Sequence, residues 1–473
     1  MENKQPLSSP AGERENIMGT MDINPLLIKL SVPMMVSMLV QALYNVVDSI
    51  FVSHVSESAL TAVSLAFSLQ NVMIAVGVGT GVGVNALLSK SLGEKNQERA
   101  NKTAENGIFL SLCSYAVFLV IGLTCMKPYF YAQTSDMDIA RQGIQYLRLC
   151  CVLSLGLFTQ TMGEKLLAAT GRTHLSMISQ LVGAVVNIVL DPIFIFGYCG
   201  EALSGTTGAA AATVIGQISG ACIGFFLLWR IRGEFSVSFR GFRPDRALSA
   251  ELLRIAAPAV VMQSLSSFMS LGLNQLLTRW SDTAVFVLGV YFKIQSFVFM
   301  PIFGVNSGLI PILSYNYGAK SAPRLSQAVR FGVQLALSAA AAGAVLLALA
   351  AGPLLRYCFH AGGAAAAMGV PALCMAALSF PIAAVSIILS AAFQSLGHSG
   401  SSLLIALLRQ ILLLLPIAAL FLWLVPDGVW LSFLIAETIT CVATLLLYRR
   451  TVRPLIAALA VPGPSSDSAS SSH

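Results

Sequence analysis

Two aspartates interrupt long apolar stretches of this chain, Asp48 within NVVDSIFV and Asp191 within NIVLDPIFIFG. A carboxylate at the centre of a membrane-spanning helix costs about 2.5–3.5 kcal/mol to insert, so such residues are rare and commonly functional. Two carboxylates that lie close together away from water resist carrying two negative charges, and they therefore bind a proton or a small cation. The sequence thus predicts a cation-exchange site at Asp48 and Asp191.

Polar side chains at helical spacing lead up to each aspartate: Gln41, Tyr44 and Asn45 precede Asp48, and Gln180 and Asn187 precede Asp191. Residues that are three, four or seven positions apart share one face of a helix, so each aspartate belongs to a narrow polar stripe. Such a stripe avoids lipid, and we expect the two stripes to face each other. For Asn45 and Gln180, hydrogen bonds that merely join neighbouring helices are the alternative.

Pro192 directly follows Asp191 and weakens the helix there, because proline lacks a backbone N–H and crowds the carbonyl of Ile188. A freed carbonyl beside a carboxylate offers oxygen atoms that suit a proton or a small cation. An ordinary proline kink is the alternative interpretation.

The composition places these residues in a membrane. The chain has 473 residues, of which 56% are hydrophobic and 10% are charged, and its mean hydropathy is +0.78. Soluble domains carry about 25% charged residues. Apolar stretches of about 20 residues, the length that crosses a bilayer, recur along the whole sequence. This pattern is typical of a polytopic membrane protein.

We predict an all-α membrane protein with twelve transmembrane helices in two six-helix lobes. The approximate spans are 26–53, 59–88, 104–126, 143–169, 174–198, 208–230, 250–279, 284–315, 325–351, 367–396, 400–424 and 427–448. The predicted domains are an N-terminal tail (1–24), a first lobe (25–230), a basic linker (231–249), a second lobe (250–450) and a C-terminal tail (451–473). The Pro/Ser-rich end of that tail, 462–473, is predicted to be disordered.

The net charge of +7 results from basic residues that cluster on one set of loops. These loops are KSLGEKNQERANK (90–102), GRTH (171–174), RIRGEFSVSFRGFRPDR (230–246) and YGAKSAPR (317–324). Because basic loops stay in the cytoplasm, both termini are predicted to lie on the cytoplasmic side of a bacterial inner (plasma) membrane. The charge therefore marks orientation and contact with membrane lipids, and we expect no nucleic-acid partner.

An internal duplication relates the two halves of the chain. Residues of uncommon type recur 225 positions apart, as in Pro33 and Pro258, Gln70 and Gln295, Gly79 and Gly304, and Arg99 and Arg324. Each half has an even number of spans, so both enter the membrane from the same side and the repeat is parallel. Parallel repeats are typical of transporters that alternate access between two sides, whereas a channel needs none.

Lys293 and Arg409 are the deep basic residues of the second half. We expect Lys293 to line a cavity, with snorkelling toward the membrane surface as the alternative, and we expect Arg409 to snorkel. Methionine and aromatic side chains could line an adaptable cavity or simply fill the core; they are Met34, Met35, Met38, Phe297 and Met300.

Four segments resemble the multidrug and toxic compound extrusion (MATE) family of transporters. They are NVVDSIFV (45–52), NIVLDPIFIFG (187–197), GAAAATVIGQ (208–217) and SYNYGAK (314–320). The resemblance covers all twelve predicted spans and implies a V-shaped arrangement of the two lobes, the MATE/MOP-type fold. It also implies export of organic cations in exchange for H⁺ or Na⁺. We expect a monomer that needs no cofactor beyond that coupling ion.

By position, Asp48, Asn187 and Asp191 match the cation-site residues of the family, and Thr213 matches a fourth such residue. The resemblance implies that these residues carry the coupling proton, or that Asp48, Asn187 and Asp191 coordinate Na⁺ if sodium is the coupling ion. Members of the NorM type also carry acids in the second lobe. Between residues 258 and 426 the only acidic residue of this chain is Asp282, which is predicted to lie in a loop. The lack of acids in the second lobe places the chain nearer to the MepA/DinF-like branch.

The leading hypothesis is a cation-coupled antiporter, for which the substrate-cavity candidates are Gln41, Tyr44, Asn45, Gln180 and Lys293. A flippase for a lipid-linked precursor, from the same superfamily, is the alternative. A membrane enzyme is disfavoured because the sequence lacks HExxH and GxSxG motifs and a clustered set of Cys and His. The duplication and the paired acids argue against a channel.

Overall fold

The computed structural model describes residues 16–198, 200, 204–231, 234–238, 240, 242–359 and 362–460. Within these residues the chain forms helices joined by turns and short connections, and it contains no strand. The segment predicted to be disordered, 462–473, and residues 1–15 of the predicted N-terminal tail lie outside the described residues.

The helices that precede residue 231 form what we call the first bundle. They are α1 (Ile17–Thr20), α2 (Ile23–Ser53), α3 (Glu57–Gly93), α4 (Gln97–Thr124), α5 (Met126–Tyr131), α6 (Met137–Val152), α7 (Leu155–Ala169), α8 (Thr173–Ile195) and α9 (Gly205–Arg230). Side-chain caps fix some of the helix starts. The Asn96 side chain, for example, accepts a hydrogen bond from the backbone N–H of Arg99 at 2.9 Å and so caps α4.

The helices that follow residue 245 form the second bundle. They are α10 (Arg246–Thr278), α11 (Asp282–Gly318), α12 (Ala322–Pro353), α13 (Gly363–Ala377), α14 (Phe380–Ser395), α15 (Ser399–Leu407), α16 (Leu414–Leu424), α17 (Leu431–Arg450) and α18 (Val452–Ala460). π-Helical turns occur at Leu354–Cys358 and Leu408–Leu412, and a 3₁₀ turn at Pro426–Trp430. The second of these π turns joins α15 to α16 in one continuous unit, Ser399–Leu424.

Ten helical segments within the described residues are long and apolar enough to cross a membrane, and the bent pair α13 and α14, with an angle of 42°, makes an eleventh. These segments correspond to eleven of the twelve predicted spans. The predicted fourth span, 143–169, instead consists of α6 and α7, which Leu153 and Ser154 separate. The chain is therefore an integral membrane protein, and its helical fold agrees with the prediction.

Glycines allow the two bundles to approach each other closely. A Cβ atom at Gly308 of α11 would lie 2.8 Å from the hydroxyl of Ser31 of α2 and 3.0 Å from its backbone. A Cβ atom at Gly83 of α3 would lie 2.9 Å from the backbone carbonyl of Leu252 of α10. Because small residues let helix backbones touch, these positions form a seam that joins the bundles.

The seam follows the internal duplication. Gly83 and Gly308 stand 225 positions apart, and so do Ser31 and Ala256, the residues that they contact. Each bundle thus contributes one glycine-bearing helix and receives the glycine-bearing helix of the other. This reciprocal packing is what a parallel duplication predicts for two lobes related by an axis along the membrane normal.

The connections α3–α4, α9–α10 and α11–α12 lie on one side of the molecule, which we call the basic face. On this face Arg99 donates through Nη2 to both carboxylate oxygens of Glu251 of α10, at 2.9 Å each. Arg324 donates to the backbone carbonyls of Met18 and Met21, at 2.9 and 2.7 Å. Each of these two duplicated arginines therefore ties one bundle to the beginning of the other.

Replacing Gly308 by leucine is expected to separate the bundles at the basic face, because the new side chain would meet the backbone of Ser31 and cannot avoid it by rotation. Spin labels at Lys102 of α4 and Gln327 of α12, both exposed, should report longer distances than in the parent protein. The matched control on the same helix is Gly289→Leu, since nothing lies within 4 Å of a Cβ atom there. If a folded Gly308→Leu protein keeps the parent distances, the glycine seam does not set the separation of the bundles.

Candidate functional site

Helices α8 and α9 pack closely because glycines face each other where they cross. A Cβ atom at Gly216 of α9 would lie 2.7 Å from the carbonyl oxygen of Gly183 of α8 and 3.0 Å from the Cβ of Asn187. At Gly220, the same atom would lie 2.6 Å from the side-chain amide nitrogen of Gln160. The close approach brings polar side chains of the two helices together in the next turn.

Asn187 connects the polar groups of this crossing. Its Nδ2 donates to Oδ1 of Asp191 at 3.2 Å and to Oγ1 of Thr213 at 3.4 Å. Asp191 is fully buried, and Asn187 is 2% exposed. The three residues lie on two helices and form one buried cluster, so the positions named from the resemblance are neighbours in space.

Asp48 of α2 adds a second carboxylate to the cluster. Its charge interacts with that of Asp191 on α8. The two helices are also joined about two turns before Asp48 and about three turns before Asp191, where Nε2 of Gln180 donates to Oε1 of Gln41 at 3.0 Å. Tyr44 lies within electrostatic range of both carboxylates. The polar stripes of α2 and α8 therefore face each other within the first bundle.

Three oxygen atoms of this cluster are buried and have no hydrogen-bond partner among the residues that the structure describes. They are Oδ1 of Asp48, Oδ2 of Asp191 and Oδ1 of Asn187. A buried polar atom without a partner costs about 1–3 kcal/mol, so these atoms together favour a ligand that brings a proton or a positive charge. The residues fit a proton on a carboxylate, and they equally fit a small cation that prefers oxygen ligands.

The donor set is unlike that of a transition-metal site. Within the described residues, no three His, Cys, Asp or Glu side chains come together as such a site requires. Carboxylate and amide oxygens instead suit hard cations that exchange readily. The arrangement can therefore bind and release an ion that passes through, which is the property an exchange site needs.

The remaining cavity candidates are exposed, unlike the buried residues of this cluster. Asn45 is exposed on α2. Lys293 is exposed on α11 of the second bundle, and its ammonium group lies 5.9 Å from the centre of the Phe359 ring. Among the candidate lining residues, Met34 is buried, Met35 packs against Gly304 in the seam between the bundles, and Phe297 is 57% exposed.

Two residues that the sequence pattern does not single out as functional adjoin the site. Nε2 of Gln70 on α3 donates to the hydroxyl of Tyr146 on α6 at 3.1 Å. Tyr146 lies within electrostatic range of Asp48 and Tyr44. Gln70 is a polar residue in an apolar span, which is a pattern that can indicate a functional residue, but in the sequence it indicates only the internal repeat. Tyr146 shows no such pattern, because its relation to Asp48 depends on how α6 packs.

The expectation that Arg409 snorkels toward the membrane surface is wrong. Its Nε lies 3.0 Å from Oε1 of Glu437 on α17, and the two side chains are only 16% and 13% exposed. Arg409 belongs to the π-helical turn Leu408–Leu412, and such turns change the direction of side chains within a helix. The second bundle therefore contains an internal ion pair.

A protein-family model described as MatE matches residues 33–193 and 258–420 of this chain. The matched segments begin 225 positions apart, which is the offset of the internal duplication. The family model thus matches each bundle once, in agreement with the predicted parallel repeat.

Similar proteins have been characterised. The multidrug export protein MepA of Staphylococcus aureus (strain bovine RF122 / ET3-1) is 22% identical over 420 residues, which cover 88% of this chain and 91% of that protein. A multidrug resistance MATE family transporter of the MOP superfamily, solved in an outward-facing conformation, has a TM-score of 0.87 at 25% identity and covers 94% of this chain and 99% of its own. A MOP superfamily transporter from Pyrococcus furiosus, whose binding pocket of reverse polarity suggests a different function, has a TM-score of 0.86 at 24% identity. That match covers 95% of this chain and 99% of the Pyrococcus chain.

Replacing Gly216 by alanine is expected to destabilise the protein by about 1–3 kcal/mol, because the added methyl group would overlap the Gly183 carbonyl and displace Asn187. The temperature at which half of the detergent-purified protein unfolds measures this loss. Gly163→Ala on α7 is the matched control, since its nearest neighbours would lie at ordinary contact distances of 3.8–3.9 Å. Equal midpoints for the two variants would contradict the proposed role of the α8–α9 crossing.

Proposed function

Because the chain belongs to the MatE family of transporters, we propose that it exports organic cations in exchange for H⁺ or Na⁺. Membership of this family agrees with the prediction that the chain is not an enzyme. The observation that carries the proposal is the group of three buried, unpartnered oxygen atoms on Asp48, Asn187 and Asp191. The names of its relatives, a multidrug export protein and a multidrug resistance transporter, support the assignment of the cargo as small molecules.

The proposed exchange is a competition for one negative site. Asp48 and Asp191 together carry up to two negative charges, and Asn187 holds one oxygen of Asp191 through its amide. An entering proton or Na⁺ neutralises part of this charge and removes the attraction for a positively charged cargo. When the ion leaves, the restored negative charge again favours the organic cation. Each ligand therefore favours release of the other, which is the requirement for antiport.

Substrate contact is proposed for the polar residues around this site. Gln41, Tyr44 and Gln180 extend the cluster along α2 and α8, and Thr213 supports Asn187 from α9. Asn45 and Lys293 are exposed, and we propose that they line the same central cavity between the two bundles. A basic residue in that cavity would disfavour cargo with a second positive charge.

Alternating access is proposed to open and close the glycine seam. In this structure the bundles are joined at the basic face by the contacts of Gly83 and Gly308 and by the bonds of Arg99 and Arg324. The fold resembles that of a relative in an outward-facing conformation. Separation of the bundles at the basic face would open the central cavity toward the basic face, and the cavity would then close on the opposite side.

Orientation and domain division are part of the same proposal. In agreement with the positive-inside rule, we propose that the basic face and both termini lie on the cytoplasmic side, and that the membrane is a bacterial inner membrane. The first lobe then spans 25–230 and the second 250–450, with the linker 231–249 between them and the tails 1–24 and 451–473 at the ends. A monomer surrounded by lipid suffices, since the proposed site lies within one bundle.

Asp48→Asn and Asp191→Asn are each expected to abolish ion-driven efflux of a fluorescent organic cation, because the amide keeps the shape of the side chain but loses its exchangeable charge. Efflux from cells that express each variant, compared at equal protein levels, measures the effect. Asp282→Asn, at an exposed acid on the first turn of α11, is the matched control and should keep full activity.

Full efflux by both site variants would remove the carboxylate mechanism. Absence of dye efflux by the unaltered protein, together with rescue of a cell-wall precursor defect, would support the alternative of a lipid-linked precursor flippase.

Dye transport into or out of proteoliposomes, measured with Na⁺ and pH gradients imposed separately, is expected to identify the coupling ion. The gradient that drives dye movement identifies the ion, and the Asp48→Asn/Asp191→Asn protein should respond to neither gradient. Dye movement that follows neither gradient in the unaltered protein would contradict antiport.

A further inference from the structure

The second bundle contains an ion pair that the proposed exchange site does not use. Nε of Arg409 lies 3.0 Å from Oε1 of Glu437, and both side chains are largely buried among the helices. The other carboxylate oxygen of Glu437, Oε2, is buried, and no described residue forms a hydrogen bond with it. The guanidinium thus satisfies only one half of the carboxylate.

Other buried polar groups belong to the same region. The side chain of Tyr291 on α11 is 1% exposed, and its hydroxyl lies beside that of Ser379. Tyr291 interacts electrostatically with both Glu437 and Arg409, and its ring lies 4.7 Å from that of Phe433, one turn before Glu437. The hydroxyl of Thr440, also fully buried on α17, has no hydrogen-bond partner among the described residues. Because most buried polar groups in folded proteins are hydrogen-bonded, this hydroxyl and Oε2 of Glu437 indicate that the surroundings of the ion pair are incompletely satisfied.

The location of this pair matches that of the first-bundle site. The first-bundle cluster lies between α8 and α9, the last two spanning helices of that bundle. Arg409 lies in the unit Ser399–Leu424 and Glu437 in α17, the last two spanning segments of the second bundle. In both bundles a buried carboxylate therefore lies between the last two spanning segments, with Asp191 on the first helix of its pair and Glu437 on the second helix of the other pair.

The chemistry selects a proton as the ligand. A metal ion at Oε2 of Glu437 would need several oxygen ligands, whereas Oε1 is already paired with Arg409, whose positive charge repels a cation that forms no covalent bond. An anion would be repelled by the carboxylate. A proton adds one bond to Oε2 and converts the carboxylate into a carboxylic acid, which removes the unpartnered negative oxygen.

We propose that Glu437 is a second proton-binding site of this protein, with Arg409 as its internal counter-ion. The titratable and charged groups that face it are Arg409 from the π turn, Tyr291 from α11 and Cys441 from the next turn of α17. Helix α14 contributes the hydroxyl of Ser386 beside Cys441.

Protonation changes the charge of the pair from zero to +1. The proton comes from water and is bound at Oε2, and no other bond is formed or broken. The uncompensated guanidinium then carries a full positive charge inside the second bundle, where it disfavours an organic cation in the central cavity. This consequence rests on the proposed function, whereas proton binding itself does not.

Infrared difference spectra between acidic and alkaline samples of the purified protein test the site directly. In Asp48→Asn/Asp191→Asn protein, which lacks the two acids of the proposed exchange site, the carbonyl band of protonated carboxylic acids, Glu437 among them, should appear between about pH 9 and pH 5. Part of this band should be lost when Glu437→Gln is added. Arg409→Gln should make that part persist to higher pH, because the positive neighbour that favours the ionised form is gone.

Glu437→Gln is expected to fold, since its amide oxygen can still accept the bond from Arg409. If the thermal midpoint of Glu437→Gln drops strongly, the infrared band of Arg409→Gln, which keeps Glu437, is compared with that of a control variant instead. The control is Asp427→Asn, at an acid of the adjacent 3₁₀ turn. Identical band intensities with and without Glu437 over the whole pH range would overturn the proposal and leave a structural ion pair only. Failure of dye efflux in these variants would bear on the exchange mechanism and would leave the infrared result intact.

Discussion

The structure depends on the requirement that a carboxylate buried in a membrane protein must meet a proton, a cation or a set of hydrogen-bond donors. In the first bundle, the amide of Asn187 supplies one donor to Asp191, and within the described part of the chain Oδ1 of Asp48, Oδ1 of Asn187 and Oδ2 of Asp191 have none. This incomplete satisfaction distinguishes the site from ordinary contacts between helices. A fully bonded network would be more stable, but it would have no reason to bind an ion that comes and goes.

Glycines make this site and its surroundings possible. Gly183 and Gly216 bring α8 against α9, so that Asn187 reaches both Asp191 and Thr213. Other glycines form the reciprocal seam between the bundles, in which each bundle contributes equivalent positions of the duplicated sequence. At these glycines the helices of the two bundles approach each other to within contact of backbone atoms.

The sequence predicted much of this arrangement because polar residues are conspicuous in an apolar helix. Asp48, Asn187 and Asp191 could be named from their spacing and from resemblance, and the structure places them together. Thr213 could be named only from resemblance, since one threonine in an alanine-rich helix carries no signal. The predicted spans also agree with the helices, apart from the break at Leu153 and Ser154 between α6 and α7.

The ion pair of Arg409 with Glu437 could not be predicted, because it depends on a local π turn and on the packing of two different helices. The contact of Gln70 with Tyr146 beside Asp48 likewise arises only from tertiary packing. Hydrophobic periodicity locates helices and their polar faces. It does not determine which polar face meets which.

Equilibrium binding of a fluorescent organic cation to the detergent-purified protein tests the central claim most directly. The account predicts that the affinity falls as the concentration of H⁺ or of Na⁺ rises, and that this dependence disappears in the Asp48→Asn/Asp191→Asn protein. An affinity that is unaffected by both ions, or an ion dependence that survives removal of both carboxylates, would contradict the account.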